Sequence, residues 1–85
     1  MSERVLVADD SGVIRAIITD CLKDVGVSDV VEAADGSQAM ALVEQEDFAL
    51  VIIDWVMPVC NGLDVIKAIR AKGSQVPIIM VTAAG

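Results

Sequence analysis

The sequence contains no histidine and no tyrosine, a single tryptophan, a single phenylalanine and only two cysteines. Cys21 and Cys60 do not form a CxxC pair, and without histidine they lack the partners of a typical zinc site. We expect both cysteines to be free thiols, as is usual in the reducing cytoplasm. This composition predicts a cytoplasmic protein and disfavours both a zinc site and a disulfide framework.

Positive charge is also scarce, because six lysine and arginine residues stand against 13 aspartate and glutamate residues and leave a net charge of −7. An acidic chain repels the phosphates of nucleic acids, and the sequence offers no basic amphipathic helix that would bind a membrane surface. No apolar run is long enough to span a bilayer, and the N-terminal residues do not resemble a signal peptide. We therefore expect neither nucleic acid nor a membrane as a partner.

The chain is short for its hydrophobic content. Its 85 residues allow one domain at most, so we predict a single domain over 1–85. Hydrophobic residues nevertheless make up 55% of the chain, and the mean hydropathy of +0.67 exceeds what a small, fully solvated domain requires. Either the core is rich in aliphatic side chains or a partner covers part of the apolar surface.

Strand-like and helix-like patterns alternate along the chain. Short apolar runs predict four strands, over 4–8, 30–34, 49–54 and 76–82. Between them, apolar residues at helical spacing predict three amphipathic helices, of which the first starts at the N-cap Ser11 and stops at Gly26. The order βαβαβαβ predicts an α/β fold with a doubly wound parallel sheet and helices on both faces.

Helical spacing also predicts which side chains face the sheet. In the first helix the apolar stripe comprises Ile14, Ile17, Ile18, Cys21, Leu22 and Val25. In the third helix we expect Leu63, Ile66 and Ile69 to point inward and Lys72 to point outward.

Three of the predicted strands end in polar side chains, namely Asp9, Asp10, Asp54 and Thr82. Because the carboxyl ends of parallel strands lie at one edge of a sheet, these groups should converge there. Clustered carboxylates repel one another unless a cation lies among them, and hard oxygen ligands suit Mg²⁺. A carboxylate in this setting can act as a nucleophile toward a phosphoryl group, to which the threonine hydroxyl could donate a hydrogen bond. Each residue alone fits an ordinary strand end or helix cap, but the combination favours a phosphoacceptor site.

Motifs along nearly the whole chain share this arrangement with one protein family. They are VLVADDS at 5–11, AADG at 33–36, LVIID at 50–54 with Met57-Pro58, Gly62, and PIIMVTA at 77–83. In these motifs and their spacing the sequence resembles the receiver domain of bacterial two-component response regulators. The resemblance implies a flavodoxin-like fold with strand order 2-1-3-4-5. It also implies that Asp54 accepts a phosphoryl group from a sensor histidine kinase or phosphotransfer protein, so that the chain is a phosphoprotein. We do not expect an enzyme, because the sequence offers no general base with a separate substrate pocket.

The same resemblance implies a set of metal ligands. Asp10 and Asp54 would bind Mg²⁺ directly, together with the backbone carbonyl of Val56. Asp9 would reach the metal through a water molecule. Two further residues would serve the phosphoryl group, because Thr82 would be the switch hydroxyl and the small Ala83 would leave room beside it.

The sequence departs from the family pattern at its end. A complete receiver continues with a helix, a fifth strand and a fifth helix, and includes a lysine that pairs with the phosphoryl group, whereas this sequence stops at Gly85. We expect phosphorylation or switching to be weaker than in a complete receiver. We also expect the fourth strand to be an exposed edge and the sheet face beside the first helix to be bare, which predicts a homodimer or larger assembly. Alternatively, the sequence is a fragment of a longer chain.

Two functions follow from these observations. The first is a phosphoacceptor receiver module of a phosphorelay. The alternative is a receiver-like module that does not switch, and that binds or assembles through its fourth strand and bare sheet face.

Trp55 and Val56 directly follow Asp54, where they either modulate the lifetime of the phosphoryl group or merely pack in the loop. Cys60 in the same loop is expected to be a bystander thiol, because no basic neighbour would lower its pKa.

Overall fold

The structure is a computed structural model that describes residues 3–57 and 59–81. The predicted switch residues Thr82 and Ala83 therefore lie outside the described residues. The elements, in chain order, are β1 (Val5–Ala8), α1 (Gly12–Asp24), β2 (Val30–Ala33), α2 (Gly36–Gln45), β3 (Leu50–Asp54), α3 (Gly62–Ala71) and β4 (Ile78–Val81). This alternation confirms the predicted βαβαβαβ order.

The described strands form one parallel sheet in the order β2-β1-β3-β4. At the carboxyl end of β1, Ala8 pairs with Ala33 of β2 and with Ile53 of β3. The residues that follow Ala8 and Ile53, which are Asp9 and Asp54, therefore lie side by side at the carboxyl edge of the sheet. This register brings the end of β1 next to the end of β3, although more than forty residues separate them along the chain.

The sheet is buried on both faces of its central strands, as expected for the doubly wound arrangement. Toward α2 and α3, the core contains Leu6, Ala8, Val51 and Ile53 from the strands and Ala39, Val43, Val65 and Ile69 from the helices. On the opposite face, Val5, Val7 and Ile52 pack with Ile18 and Leu22 of α1. Each fully buried aliphatic side chain contributes about 1.5–3 kcal/mol, so these central strands hold the site residues on a rigid support.

Each helix begins with a side-chain cap followed by glycine. Ser11 accepts a hydrogen bond from the backbone N–H of Ile14, which confirms the predicted cap of α1. Asp35 and Asn61 do the same for α2 and α3 by accepting from residues three positions further on. These caps satisfy N–H groups that have no partner within the helix, and so define where each helix begins.

The predicted inward face of α3 is partly wrong. Val65 and Ile69 are buried, and Ile66 is half-buried at the edge of the core, but Leu63 is 36% exposed. Helical spacing alone fits either stripe, and the packing of α3 against α2 decides the rotation. Lys72 is exposed, yet its amino group turns back to the carbonyls of Val43 and Glu46 at the end of α2.

The apolar stripe of α1 is only partly used. Ile18 and Leu22 are half-buried against the sheet, but no residue of α1 is fully buried, and Ile17 is 54% exposed. On the same face of the sheet Ile79 of β4, which pairs with Ile52, is 51% exposed. Within the described residues this face therefore presents apolar side chains to solvent.

Among the described residues there is no helix with the length and apolar character needed to cross a bilayer.

Candidate functional site

Asp9 leaves the end of β1 as a buried charged residue, with only 4% of its surface exposed. Its backbone N–H donates to the carbonyl of Ala33 at 3.0 Å and so continues the β1–β2 ladder by one residue. Its Oδ1 accepts a hydrogen bond of 2.8 Å from the backbone N–H of Ser11. Burial of a carboxylate is costly unless such donors compensate it, and this contact also fixes the direction of the side chain.

Asp54 is the last residue of β3 and is half-buried. Its Oδ1 accepts a long hydrogen bond of 3.4 Å from the backbone N–H of Val56. The loop that follows is tied to the sheet and to α3, since the N–H of Trp55 donates to the carbonyl of Val81 and the N–H of Gly62 donates to the carbonyl of Trp55. The carboxylate of Asp54 therefore projects from a strand end whose backbone is held on both sides.

Carboxylate oxygens of Asp9, Asp10 and Asp54 lie within 4.8 Å of one another. The structure thus brings together the three acids that the strand-end argument grouped. Loss of hydration on burial, followed by the charge of Asp9, raises the pKa of Asp54 above its usual value, and the charge of Asp10 adds to this. The N–H of Val56 opposes the shift because it stabilises the ionised carboxylate.

This donor set fits a hard divalent cation. All three side chains offer oxygen, and their access to solvent is graded, because Asp9 is buried, Asp54 is half-buried and Asp10 is exposed. A cation among them would offset the repulsion by Asp9 and Asp10, which adds to the effect of burial in raising the pKa of Asp54. Val56 lies on the exposed rim, with 69% of its surface accessible.

Arg15 is a residue of this site that the motifs did not single out. Its Nη1 donates to the backbone carbonyl of Asp9 at 2.6 Å, and its Nε donates to Glu32 at 3.1 Å. A signal was present in the sequence, because a basic residue in the first turn of a helix opposes the helix dipole and so requires some other partner. That partner lies on β2 and at the end of β1, which only the fold brings within reach.

The loop from β3 to α3 is packed against two glycines. A Cβ atom at Gly62 would overlap the carbonyl oxygen of Asp54, and one at Gly36 would overlap the carbonyl oxygen of Cys60. Val59, in the same loop, has a φ of 73°, which is a strained value for a β-branched residue. The shape of the loop beside Asp54 therefore depends on close backbone approach.

A doubly wound parallel sheet, with its acids at the carboxyl ends of the central strands, defines the chain as a flavodoxin-like α/β protein. The family profile described as "Response regulator receiver domain" matches residues 5–85. The chain therefore belongs to the response regulator receiver domain family, which confirms the resemblance seen in its motifs.

Individual relatives agree with the family. The chain is 45% identical over 85 residues to a chemotaxis protein CheY homolog of Campylobacter jejuni, an alignment that covers 96% of this chain and 65% of that protein. It is 37% identical over 82 residues to chemotaxis protein CheY-3 of Vibrio cholerae, with 94% and 63% covered. The chain thus spans a little under two thirds of the length of these relatives.

Solved structures have the same fold. The response regulator TrrA of Thermotoga maritima, in complex with Mg²⁺-BeF, superposes with a TM-score of 0.89 at 34% identity, covering 98% of this chain and 71% of TrrA. CheY4 of Vibrio cholerae gives a TM-score of 0.86 at 36% identity, covering 100% of this chain and 72% of CheY4. The observed strand order is therefore that of a flavodoxin-like receiver, as predicted.

Proposed function

We propose that this chain is the phosphoacceptor module of a two-component phosphorelay and that Asp54 is the residue that becomes phosphorylated. The observation that carries the proposal is the position of Asp54 at the tip of a central strand, within 4.8 Å of the carboxylates of Asp9 and Asp10. The donor is a sensor histidine kinase or a phosphotransfer protein. The chain receives the phosphoryl group on its own side chain, so it is a signalling protein and not an enzyme acting on an external substrate.

In the transfer, a carboxylate oxygen of Asp54 attacks the phosphorus atom of a phosphohistidine on the donor. The P–N bond breaks as the new P–O bond forms, and the departing imidazole takes up a proton. The product on Asp54 is an acyl phosphate. The reaction requires the ionised carboxylate of Asp54. Burial and the neighbouring acids raise the pKa of Asp54, and a bound cation would lower it.

Mg²⁺ is the cofactor that suits this set of oxygen ligands. Asp10 and Asp54 would hold it together with the backbone carbonyl of Val56. The buried Asp9, one oxygen of which already accepts the N–H of Ser11, would contact it through water. When bound, Mg²⁺ would neutralise charge on the oxygens of the incoming phosphoryl group. The complex of TrrA with Mg²⁺-BeF supports a Mg²⁺ site in this fold.

Two residues beyond the described part of the chain complete the proposal. Thr82 would donate its hydroxyl to the phosphoryl group, and Ala83 would leave space for it. In the sequence they are the next two residues after Val81, which pairs with Asp54 in the sheet. The pairing of Val81 with Asp54 and the likeness of the motif at 77–83 to that of the family support these roles.

The test is the intact mass of the protein after incubation with acetyl phosphate and Mg²⁺. We expect a gain of one phosphoryl group, and no gain either in Asp54→Asn or when EDTA removes the metal. A folded wild-type protein that gains no phosphoryl group would contradict the proposal. If Asp54→Asn still gained a phosphoryl group, another residue would be the acceptor.

The partners of such a module are proteins of the cytoplasm. The net charge of −7 disfavours binding to nucleic acid or to an anionic membrane surface. The curated relatives are chemotaxis proteins, which supports an output through protein–protein contact. We therefore place the chain between a kinase or phosphotransfer protein and a downstream protein whose binding changes on phosphorylation.

A second candidate function is self-assembly without switching. It is favoured by Ile17 of α1 and Ile79 of β4, which are 54% and 51% exposed on the same face of the sheet. A second copy that covered this face would form a homodimer or a larger assembly. Sedimentation of wild type and Ile79→Lys tests this function, because assembly through the face predicts a smaller species in the variant. A wild-type chain that sediments as a monomer would exclude it.

A further inference from the structure

We propose that Arg15 is a positioning residue for the phosphoacceptor site: together with Glu32, it holds the loop from β1 to α1 in the conformation that presents Asp9 and Asp10 to the metal. This inference rests on the proposed Mg²⁺-dependent function. The contacts on which it depends are the hydrogen bonds of Arg15 to Asp9 and to Glu32.

The guanidinium of Arg15 connects three elements. Arg15 belongs to α1, its Nη1 donates to the carbonyl of Asp9 at the end of β1, and its Nε donates to Glu32 of β2 at 3.1 Å. The Arg15 side chain is only 19% exposed, whereas that of Glu32 is 48% exposed. The arginine is therefore enclosed between the helix and the sheet, and Glu32 holds it from the solvent side.

Arg15 completes the fixation of Asp9. The N–H of Asp9 donates to the carbonyl of Ala33, its carboxylate accepts from the N–H of Ser11, and its carbonyl accepts from Arg15. With all three polar groups engaged, the peptide unit between Asp9 and Asp10 has a fixed orientation. The Cα atom of Asp10 belongs to that peptide unit, so the same contacts fix the position from which the side chain of Asp10 leaves the backbone.

The group that accepts the hydrogen bond from Arg15 also matters for metal binding. Arg15 binds a backbone carbonyl, so its positive charge lies next to the acid cluster without occupying a carboxylate oxygen of that cluster. An arginine can do this while it also binds Glu32, because its planar group donates in two fixed directions. A lysine has a single point charge and cannot reproduce both contacts in this geometry.

The experiment measures Mg²⁺ binding by the fluorescence of Trp55, which is the single tryptophan of the chain and follows Asp54 directly. Loss of a residue that orients metal ligands weakens metal binding by about 10- to 100-fold. We expect the dissociation constant for Mg²⁺ to rise about tenfold in Arg15→Lys and at least as much in Arg15→Gln. Glu32→Gln should give a smaller rise, because Arg15 retains its bond to Asp9.

Two control variants distinguish the effect of the position of Arg15 from a general effect of losing a positive charge or a guanidinium group. Lys23→Gln removes one positive charge from the last turn of the same helix, and Arg70→Lys removes a guanidinium whose Nη1 donates to the carbonyl of Ser74. Both variants should bind Mg²⁺ as the wild type does. Phosphorylation of Arg15→Lys should need more Mg²⁺ for half-maximal rate yet reach nearly the wild-type plateau, which a general loss of structure would not produce.

A second measurement requires no metal. Hydrogen exchange at the amide of Ser11, which donates to Asp9, should be faster in Arg15→Lys than in the wild type and unchanged in Arg70→Lys. A folded Arg15→Lys that binds Mg²⁺ within twofold of the wild type would overturn this inference alone. A wild-type chain that binds no Mg²⁺ would overturn the proposed function, and the positioning role with it.

Discussion

Gly62 lies directly against the backbone of Asp54, so closely that a Cβ atom at Gly62 would overlap the carbonyl oxygen of Asp54. The N–H of Gly62 also donates to the carbonyl of Trp55 at 2.9 Å. The first turn of α3 therefore packs on the strand end that carries Asp54. Any residue larger than glycine must separate the two and move the loop that frames the site.

Gly62→Ala is therefore expected to destabilise the protein by about 1–3 kcal/mol, the usual cost of forcing atoms into a packed region. The three helices offer a matched control, because each begins with glycine. A Cβ at Gly12, the first residue of α1, would meet its nearest neighbour at an ordinary 3.6 Å. Gly12→Ala should leave the free energy of unfolding in urea unchanged or raise it.

The same comparison applies to Gly36, whose Cβ would overlap the carbonyl of Cys60. Gly36→Ala should resemble Gly62→Ala in stability. Because Gly36 contacts the loop further from Asp54, Gly36→Ala should reduce phosphoryl uptake from acetyl phosphate less than Gly62→Ala does. Equal stability of all three alanine variants would show that the loop does not pack as described.

We predict that Val59 lowers the stability of the folded protein because of its backbone conformation. Its φ of 73° is a conformation that costs an L-residue roughly 1–2 kcal/mol, whereas asparagine tolerates it. Val59 is highly exposed, so little packing is lost on replacement. Val59→Asn should raise the free energy of unfolding by about 1 kcal/mol. Val56→Asn, in the same loop but without positive φ, should not stabilise the protein, and a gain there would contradict the explanation.

The stability of the metal-free protein should depend on the ionisation of Asp54. Burial and the neighbouring acids raise the pKa of Asp54 in the folded state above the ordinary value of 3.8. The folded state therefore binds this proton more tightly than the unfolded state does. Its contribution to stability is fully present below pH 3.8 and is lost as the pH rises through the raised pKa of the folded state.

Asp54→Asn removes this dependence. In EDTA at pH 7 we expect the variant to melt at a higher temperature than the wild type, and the difference should vanish in acid. Mg²⁺ should stabilise the wild type by binding its folded state, and should stabilise Asp54→Asn much less. If the melting temperatures of the two proteins differed by the same amount across the whole pH range, the raised pKa of Asp54 would be refuted.

Lys72, which follows α3, is expected to stabilise the end of α2 through direct contacts. Its Nζ donates to the carbonyls of Val43 and Glu46 and forms an ion pair with Asp47 at 3.2 Å. These contacts satisfy carbonyls that the end of a helix leaves unpaired, and they place a positive charge where the helix dipole favours it.

Lys72→Met should therefore lower the free energy of unfolding by about 1 kcal/mol, measured in urea. Lys67→Met is the control, because Lys67 is an exposed lysine of α3 itself. It should change stability by less than about 0.5 kcal/mol, as is usual for surface positions. A similar loss in both variants would mean that the contacts of Lys72 contribute nothing specific.

Much of this protein is determined locally by its sequence. The apolar runs define the strands, the spacing of apolar residues defines the helices, and Ser11 caps the first helix because its hydroxyl reaches an N–H three residues away. The meeting of Asp9, Asp10 and Asp54 was also predictable, because alternating strands and helices imply a parallel sheet whose carboxyl ends share one edge.

Only the tertiary structure decided the contacts between distant elements. Arg15 and Glu32 are separated by 17 residues, and Lys72 and Val43 by 29, so their pairing depends on how α1 and α3 lie on the sheet. The exposure of Leu63 has the same origin, since helical periodicity defines two equivalent stripes and packing against α2 selects one. Sequence patterns determine which segments fold and which residues reach the site, whereas the side chains that hold those residues in place are determined by the relative positions of the segments.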